Sequence, residues 1–345
     1  MKIEVIKNIK EFKSLQIEWD LLFSKGDYSL FQSFNFNYYS WKYVIKGNRN
    51  QLAITVVRTN NNLVGIFPFY IDGNNRLRFI NDLHFDFCDI LTISSLDISL
   101  IFAYLKKELF FKSIRLINIK QESNIYKQGI LLNTKNKIIS SNLEYSNLHV
   151  EKGLFPYNVP HFRSHQKHRI NKASRKHKQK EYKIFTHEKY KYPEEDIITL
   201  KEKMISLGLR KDNFFSNDML LLTQDLYYKG KIIIGIIKED NQVNCINLII
   251  KESSDRFIFW IDLFDTTQMI NIANYIFFIK NISFNHSVTL NFGRGRYFYK
   301  VSNFAPIFHQ LYGLFIFSNV FQKIRFIIFE SFKTYVKLYY RKLKK

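Results

Sequence analysis

A mixed α/β fold built from two similar lobes is what this sequence predicts, and three observations predict it. Short runs of apolar residues alternating with polar ones are bounded by Asn-, Asp- and Gly-rich turns, the signature of strands joined by hairpins. The same layout occurs twice at a constant spacing, with Leu52 and Ile232, Leu63 and Val243, and Phe79 and Phe259 each 180 residues apart. The most basic stretch of the chain, from His161 to Lys183, lies between the two copies.

The chain begins with Ile3 and Val5 alternating with charged residues, which reads as a strand and not as the apolar core of a signal peptide. Residues 11–46 read as helices, with Phe12, Leu15, Trp19, Leu22 and Phe23 on one face. The first strand set is Leu52–Arg58, Leu63–Ile71 and Leu77–Ile80, and the second is Ile232–Lys238, Val243–Ile250 and Phe257–Ile261. A helix-like segment follows each set, Leu96–Phe111 and Gln268–Ile282, and each leads to a closing strand, Ser113–Ile119 and Ser287–Phe292. Asp82 of the first copy falls on Asp262 of the second.

Composition limits the function classes. With 52 basic and 30 acidic residues the formal charge is +22, which points to a polyanion, a phosphorylated ligand or an anionic membrane surface, or else to the Lys- and Asn-rich usage of a low-GC genome. The two cysteines, Cys88 and Cys245, sit in apolar strand-like contexts, so a disulfide framework or cysteine zinc site is not expected and a reducing compartment is. No Gly-x-Ser-x-Gly elbow, phosphate-binding Walker loop, His-Glu-x-x-His or kinase signature occurs, so the usual hydrolase, NTPase and metalloprotease chemistries lack their residues. His161 and His165 have metal-ligand spacing without an acidic or cysteine partner, and no metal is expected.

The basic segment carries Arg163, Lys167, Arg169, Lys172, Arg175, Lys176, Lys178, Lys180 and Lys183 against Glu181 alone. It reads as a helix. Its like-charged i,i+4 neighbours disfavour that helix unless an anion lies over them, so it is either a solvated connector or a polyanion-facing surface. The second copy ends at Asn291-Phe-Gly-Arg-Gly295, a turn where Gly293 and Gly295 let backbone N–H groups approach an anion while Arg294, Arg296 and Lys300 supply charge. Residues 304–345 are aromatic and aliphatic and end in Arg341-Lys-Leu-Lys-Lys345. They read as a helical tail, either packed on the second lobe or lying at a membrane interface. The expected division is 1–155, 156–183, 184–303 and 304–345: first lobe, basic helix, second lobe and tail.

Several loose motifs occur in a fixed order: Asp86-Phe-Cys-Asp89-Ile-Leu91, the basic helix, Ser206-Leu-Gly-Leu-Arg210, Leu263-Phe-Asp265, and Asn291-Phe-Gly-Arg-Gly295 with Tyr299-Lys300. In these the chain resembles, over roughly residues 15–303, the tandem GNAT-type acyltransferases of the BioF2-like/CelD group, relatives of the FemAB peptidoglycan-bridge transferases. Two positions depart from that pattern. Asn291 stands for an acidic residue, and Ile272-Ala273-Asn274 for a Ser-Pro-Gly helix start. The resemblance implies two GNAT-like lobes with mixed sheets flanked by helices, and an N-acyl or aminoacyl transfer to an amine of a cell-envelope or polysaccharide intermediate. It implies a phosphorylated donor, acyl-CoA or aminoacyl-tRNA, with acyl-CoA a cosubstrate and no tightly bound cofactor. It offers Asp86, Asp89, Asp265 and Lys300 as catalytic residues, with Gly293, Arg294, Gly295 and Tyr299 holding the donor. Asp89 and Lys300 are expected at one cleft between the lobes. The expected location is cytoplasmic, with peripheral contact at the inner membrane face through 304–345. The rival reading is a non-catalytic protein of the same fold that binds nucleic acid or another polyanion in envelope assembly.

Overall fold

The computed structural model describes every residue except 48, 94–95, 266–268 and 344–345. The first lobe comprises β1 (Lys2–Ile6), α1 (Ile9–Ser14), α2 (Gln16–Phe23), α3 (Phe34–Tyr39), β2 (Gln51–Thr59), β3 (Asn62–Ile71), β4 (Arg76–Phe79), β5 (Leu91–Thr92), α4 (Ile98–Leu109), β6 (Ser113–Lys120), α5 (Asn124–Leu131) and β7 (Lys137–Val150). The basic helix α6 (Ser164–Lys176) follows. The second lobe comprises β8 (Glu181–Phe185), α7 (Glu194–Ser206), α8 (Asn217–Tyr228), β9 (Ile232–Glu239), β10 (Gln242–Lys251), β11 (Arg256–Phe264), α9 (Ile270–Ser283), β12 (Val288–Arg294), a helical turn over Lys300–Phe304 and β13 (Ile307–Phe317). After it comes α10 (Val320–Leu343).

The repeat extends to backbone detail. The β2–β3 hairpin turns on Asn60 and Asn61, with φ of 50° and 63°, and the β9–β10 hairpin on Asp240 and Asn241, with φ of 49° and 62°. Both residues of such a two-residue turn must be left-handed, a conformation that Asn and Asp tolerate better than other side chains. Phe69 pairs with Phe79 in the first lobe, and Ile249 with Phe259 in the second, at the same offset.

All strands but β5, which pairs β3, lie along one sheet in the order β1-β2-β3-β4-β6-β13-β7-β12-β11-β10-β9-β8. The lobes exchange their final strands. β7 is bonded to β12 of the second lobe, β13 to β6 of the first, and β7 and β13 to each other at the centre. Leu148 and Val150 of β7 are buried in one apolar cluster, and Leu311 and Leu314 of β13 in another, so both exchanged strands contribute to the core.

Two expectations are corrected here. The tail read as helix from residue 304 is a strand over Ile307–Phe317, and helix begins only at Val320. The basic helix read through Lys183 ends at Lys176, and Glu181–Phe185 forms the edge strand β8 on β9. In both places the partner strand supplies the hydrogen bonds, and it lies far off in sequence. Among the described residues, no helix is long and apolar enough to cross a membrane.

Each lobe contains one parallel pair flanked by a bulge. β4 and β6 pair over Arg76–Leu77, and β11 and β12 over Arg256–Ile258, before the strands separate. In β6 the bulge faces Gly313 and includes Asn118 (φ 62°), and in β12 it faces Ser146 and includes Gly293 (φ 67°). The gap in the first lobe is plugged by its own chain. The Asn118 side-chain amide donates to the carbonyls of Asp82 (2.6 Å) and Phe85 (2.9 Å), and the Asn118 carbonyl accepts from the Cys88 N–H (2.9 Å). In the second lobe Gly293 has no side chain to form such a plug, and β11 continues in the sheet to Phe264. That gap stays open.

Candidate active site

Between the diverging ends of β11 and β12 lies a cavity of about 380 Å³. Phe259, Tyr275 and Phe292 form its apolar floor, β11 contributes Trp260 and Asp262, and β12 contributes Gly293 and Arg294. The first lobe adds Asp86, and the loop after α7 adds Arg210, whose guanidinium lies 4.9 Å from the Phe214 ring.

Arg294 Nε donates to Asp86 Oδ1 at 2.8 Å, and Nη2 to the Leu83 carbonyl at 2.9 Å. A Cβ on Gly293 would sit 2.7 Å from Asp86 Oδ2, so only glycine allows the carboxylate this close at a left-handed position. The Trp260 indole N–H donates to the His84 carbonyl at 2.9 Å, a second tie between the lobes.

Lys300 is 1% exposed. Its Nζ donates to the carbonyls of Gly293 (3.3 Å), Arg294 (2.9 Å) and Gly295 (3.1 Å), so all three protons hold the Gly-Arg-Gly turn. Burial pushes the amine down to about 8, against the opposing pull of Asp86 and Asp262. Asp262 accepts from the Tyr275 hydroxyl and from Asn247 Nδ2 (2.8 Å). Burial raises the Asp262 carboxyl above its ordinary value, while the Tyr275 hydrogen bond and the Lys300 charge oppose the rise. The Tyr275 ring stacks on Tyr299 at 6.3 Å, and Tyr299 on Tyr297 at 6.1 Å. The site thus combines a carboxylate of raised pKa, guanidinium groups at the lip and an aromatic wall.

Of the residues singled out in the sequence, Asp86, Gly293, Arg294, Tyr299 and Lys300 line this one cavity. Gly295 directs its N–H to the Glu144 carbonyl at 2.7 Å. Asp89 lines a different cavity of about 420 Å³ with Tyr28, Lys120, Glu122 and Arg256, so it does not share a cleft with Lys300. Buried Phe87 and Cys88 separate it from Asp86. Its carboxylate accepts the N–H groups of Ile90 (2.8 Å), Asn124 (2.9 Å) and Ile125 (2.9 Å), which caps α5, and burial raises it to about 6. Asp265 accepts from Asn244 Nδ2 at 3.0 Å, with Lys203 Nζ at 3.7 Å, and lines neither cavity.

Asp262 and Tyr275 were not singled out for chemistry from the sequence, yet the duplication carried a signal. Asp82 is held by Arg78 at 2.6 Å, four residues before it. The corresponding residue four before Asp262 is Ile258. The second copy keeps the carboxylate and drops its arginine, which leaves Asp262 to Tyr275 and Asn247 beside an open cavity.

No family model and no curated protein matches the sequence. In three dimensions the chain is similar to the C-terminal domain (DUF2156) of a putative lysylphosphatidylglycerol synthetase from Agrobacterium fabrum, with a TM-score of 0.58 and 8% identity over 93% of this chain and 96% of that one. It is similar to FemX at 0.56 and 10% identity, covering 92% and 98%. A tandem GNAT protein from the clavulanic acid biosynthesis pathway matches at 0.50 and 7% identity, covering 91% and 98%. At such identities the likeness speaks for the fold. The chain has a tandem GNAT fold, two lobes in one sheet.

Proposed function

We propose that this protein is an N-acyltransferase that passes an acyl or aminoacyl group from a phosphorylated carrier, acyl-CoA or aminoacyl-tRNA, to an amine of a cell-envelope or polysaccharide intermediate. The observation that carries this reading is the asymmetry of the two gaps. One is filled by its own chain, and the other is open and lined by Asp262, Tyr275 and Arg294. Transfer to an amine needs a base for the amine proton and cationic groups for the carrier. Asp262, with its raised pKa, takes the proton as the amine nitrogen attacks the carbonyl carbon. The tetrahedral intermediate then expels the carrier's sulfur or ribose oxygen, and the proton returns to it through the Tyr275 hydroxyl. Arg210 and Arg294 hold the carrier's phosphates. Asp86 positions Arg294, and Lys300 fixes the turn that carries it. Asp89 and Asp265 hold neighbouring backbone and side chains and act outside the chemistry. The likeness in fold to a domain of a putative lysylphosphatidylglycerol synthetase supports an aminoacyl group and an envelope acceptor.

Of Trp19, Trp41 and Trp260, the last lines the cavity, while the others are buried in the first-lobe core. Titrating acetyl-CoA, longer acyl-CoAs and charged tRNA should quench indole emission for the true donor, and Trp260→Phe should abolish the quench. The same donor should acylate hydroxylamine as a minimal amine. Binding of tRNA with no transfer from any donor would favour the polyanion-binding reading, which rests on the exposed cations of α6.

A further inference from the structure

We propose that the end of the molecule where α10 leaves the sheet docks reversibly on an anionic lipid bilayer, through a composite surface made by α10 and the C-terminal ends of α4 and α5. Helix α10 is held at its start. The Phe326 ring packs on Phe315 (4.7 Å between centroids) and Phe317 (5.2 Å), and Lys323 Nζ donates to the Lys135 carbonyl (2.6 Å). Phe321, Ile324, Ile328 and Phe332 follow one another at steps of three or four, which aligns them on one helix face. The lower part of that face borders an open apolar groove with Phe326, Phe317 and Ser113, and all four side chains stay largely open to solvent. They are exposed by 83%, 48%, 63% and 65%.

The same end of the sheet presents Phe110, 79% exposed in the left-handed cap of α4, and Leu131, 80% exposed at the end of α5. Their chain neighbours Phe111 and Leu132 line one groove with Phe317 and Ser318, which places all three elements side by side. Large apolar groups this exposed and this clustered mark an interaction surface.

Charge selects the partner. Lys106, Lys107, Lys112, Lys135 and Arg325 are exposed around these apolar groups. Along Val320–Leu343 six basic residues stand against Glu330 alone. A second copy would set one such cationic helix against another. An anionic bilayer accepts the apolar stripe at the acyl boundary and the cations at the headgroups, with a helix lying in the interface and not crossing it. The proposal is independent of the chemistry in the cleft.

The test is co-sedimentation of the full-length protein with vesicles of phosphatidylcholine alone or mixed with phosphatidylglycerol, with light scattering for mass. The expected result is binding to the mixed vesicles only, weakened by salt. Ile328→Ser with Phe332→Ser should lower partitioning at least tenfold, and Phe110→Ser with Leu131→Ser several-fold, with unchanged melting temperatures because these side chains are exposed. No binding to mixed vesicles overturns the proposal. So does a dimer in solution that the α10 substitutions make monomeric, since a second copy then covers the face. Loss in the α10 variant with none in the Phe110/Leu131 variant overturns the composite surface.

Discussion

Arg294 and Asp86 meet at 2.8 Å across 208 residues of sequence, so the turn that ends the second lobe's last unexchanged strand is held by a carboxylate of the first. The pair is mostly enclosed, with side chains 24% and 9% exposed. Removing either partner leaves the other charge half-buried and uncompensated. In a double-mutant cycle of Asp86→Asn and Arg294→Gln, urea unfolding should show a coupling of about 1–3 kcal/mol. Additive single effects would mean that the pair is solvent-screened.

Lys300 should leave a signature in the pH dependence of stability. The unfolded chain holds this proton to about 10.5 and the folded protein releases it near 8. Between those values the unfolded state binds more protons, so stability rises with pH by at most about 1.4 kcal/mol per unit. Lys300→Met should remove that increment. The difference in urea midpoint between wild type and variant, followed through this window, measures it, and parallel curves would refute the assignment.

Tyr275 should tune the base. Its hydroxyl hydrogen bond holds the Asp262 carboxyl down against burial. Tyr275→Phe removes that restraint, and the acid limb of the transfer rate should move to higher pH. A lower rate with an unmoved limb would take Asp262 out of the proton transfer.

The outer face of α6 should contact a polyanionic carrier. Lys172 and Arg175, with Lys178 just beyond the helix's C-terminal end, are exposed, whereas Ile170 and Ala173 bury the other face. Each lost phosphate contact reduces the slope of log K against log salt by about 0.7–0.9. Changing all three residues to Gln should therefore flatten the slope for charged tRNA by about 2. An unchanged slope would leave α6 a solvated connector.

The duplicated strands were legible because hairpin turns and alternating apolar residues are local signals. Asn60-Asn61 and Asp240-Asn241 announce their turns, and the shared offset aligns everything between. The exchanged strands were not. Ile307–Phe317 is a largely apolar run that reads as helix as easily as strand, and Lys137–Val150 mixes Ser, Asn and Glu among its apolar residues and drew no assignment. What makes both into strands is a partner in the other lobe. The site was legible in the same measure. The Gly293-Arg294-Gly295 turn and Asp86 stood out as motifs, but that Lys300 spends its protons on three carbonyls, and Asp89 its oxygens on α5, depends on burial that sequence spacing does not reveal.

The exchange of β7 and β13 also sets an order of events during translation. β6 is complete once residue 120 has been made, but its neighbour β13 ends at Phe317. A nascent chain emerging from the ribosome therefore carries an unsatisfied sheet edge, the kind that invites intermolecular pairing, through the synthesis of the whole second lobe. The lobe made first is closed by a strand made only after β12.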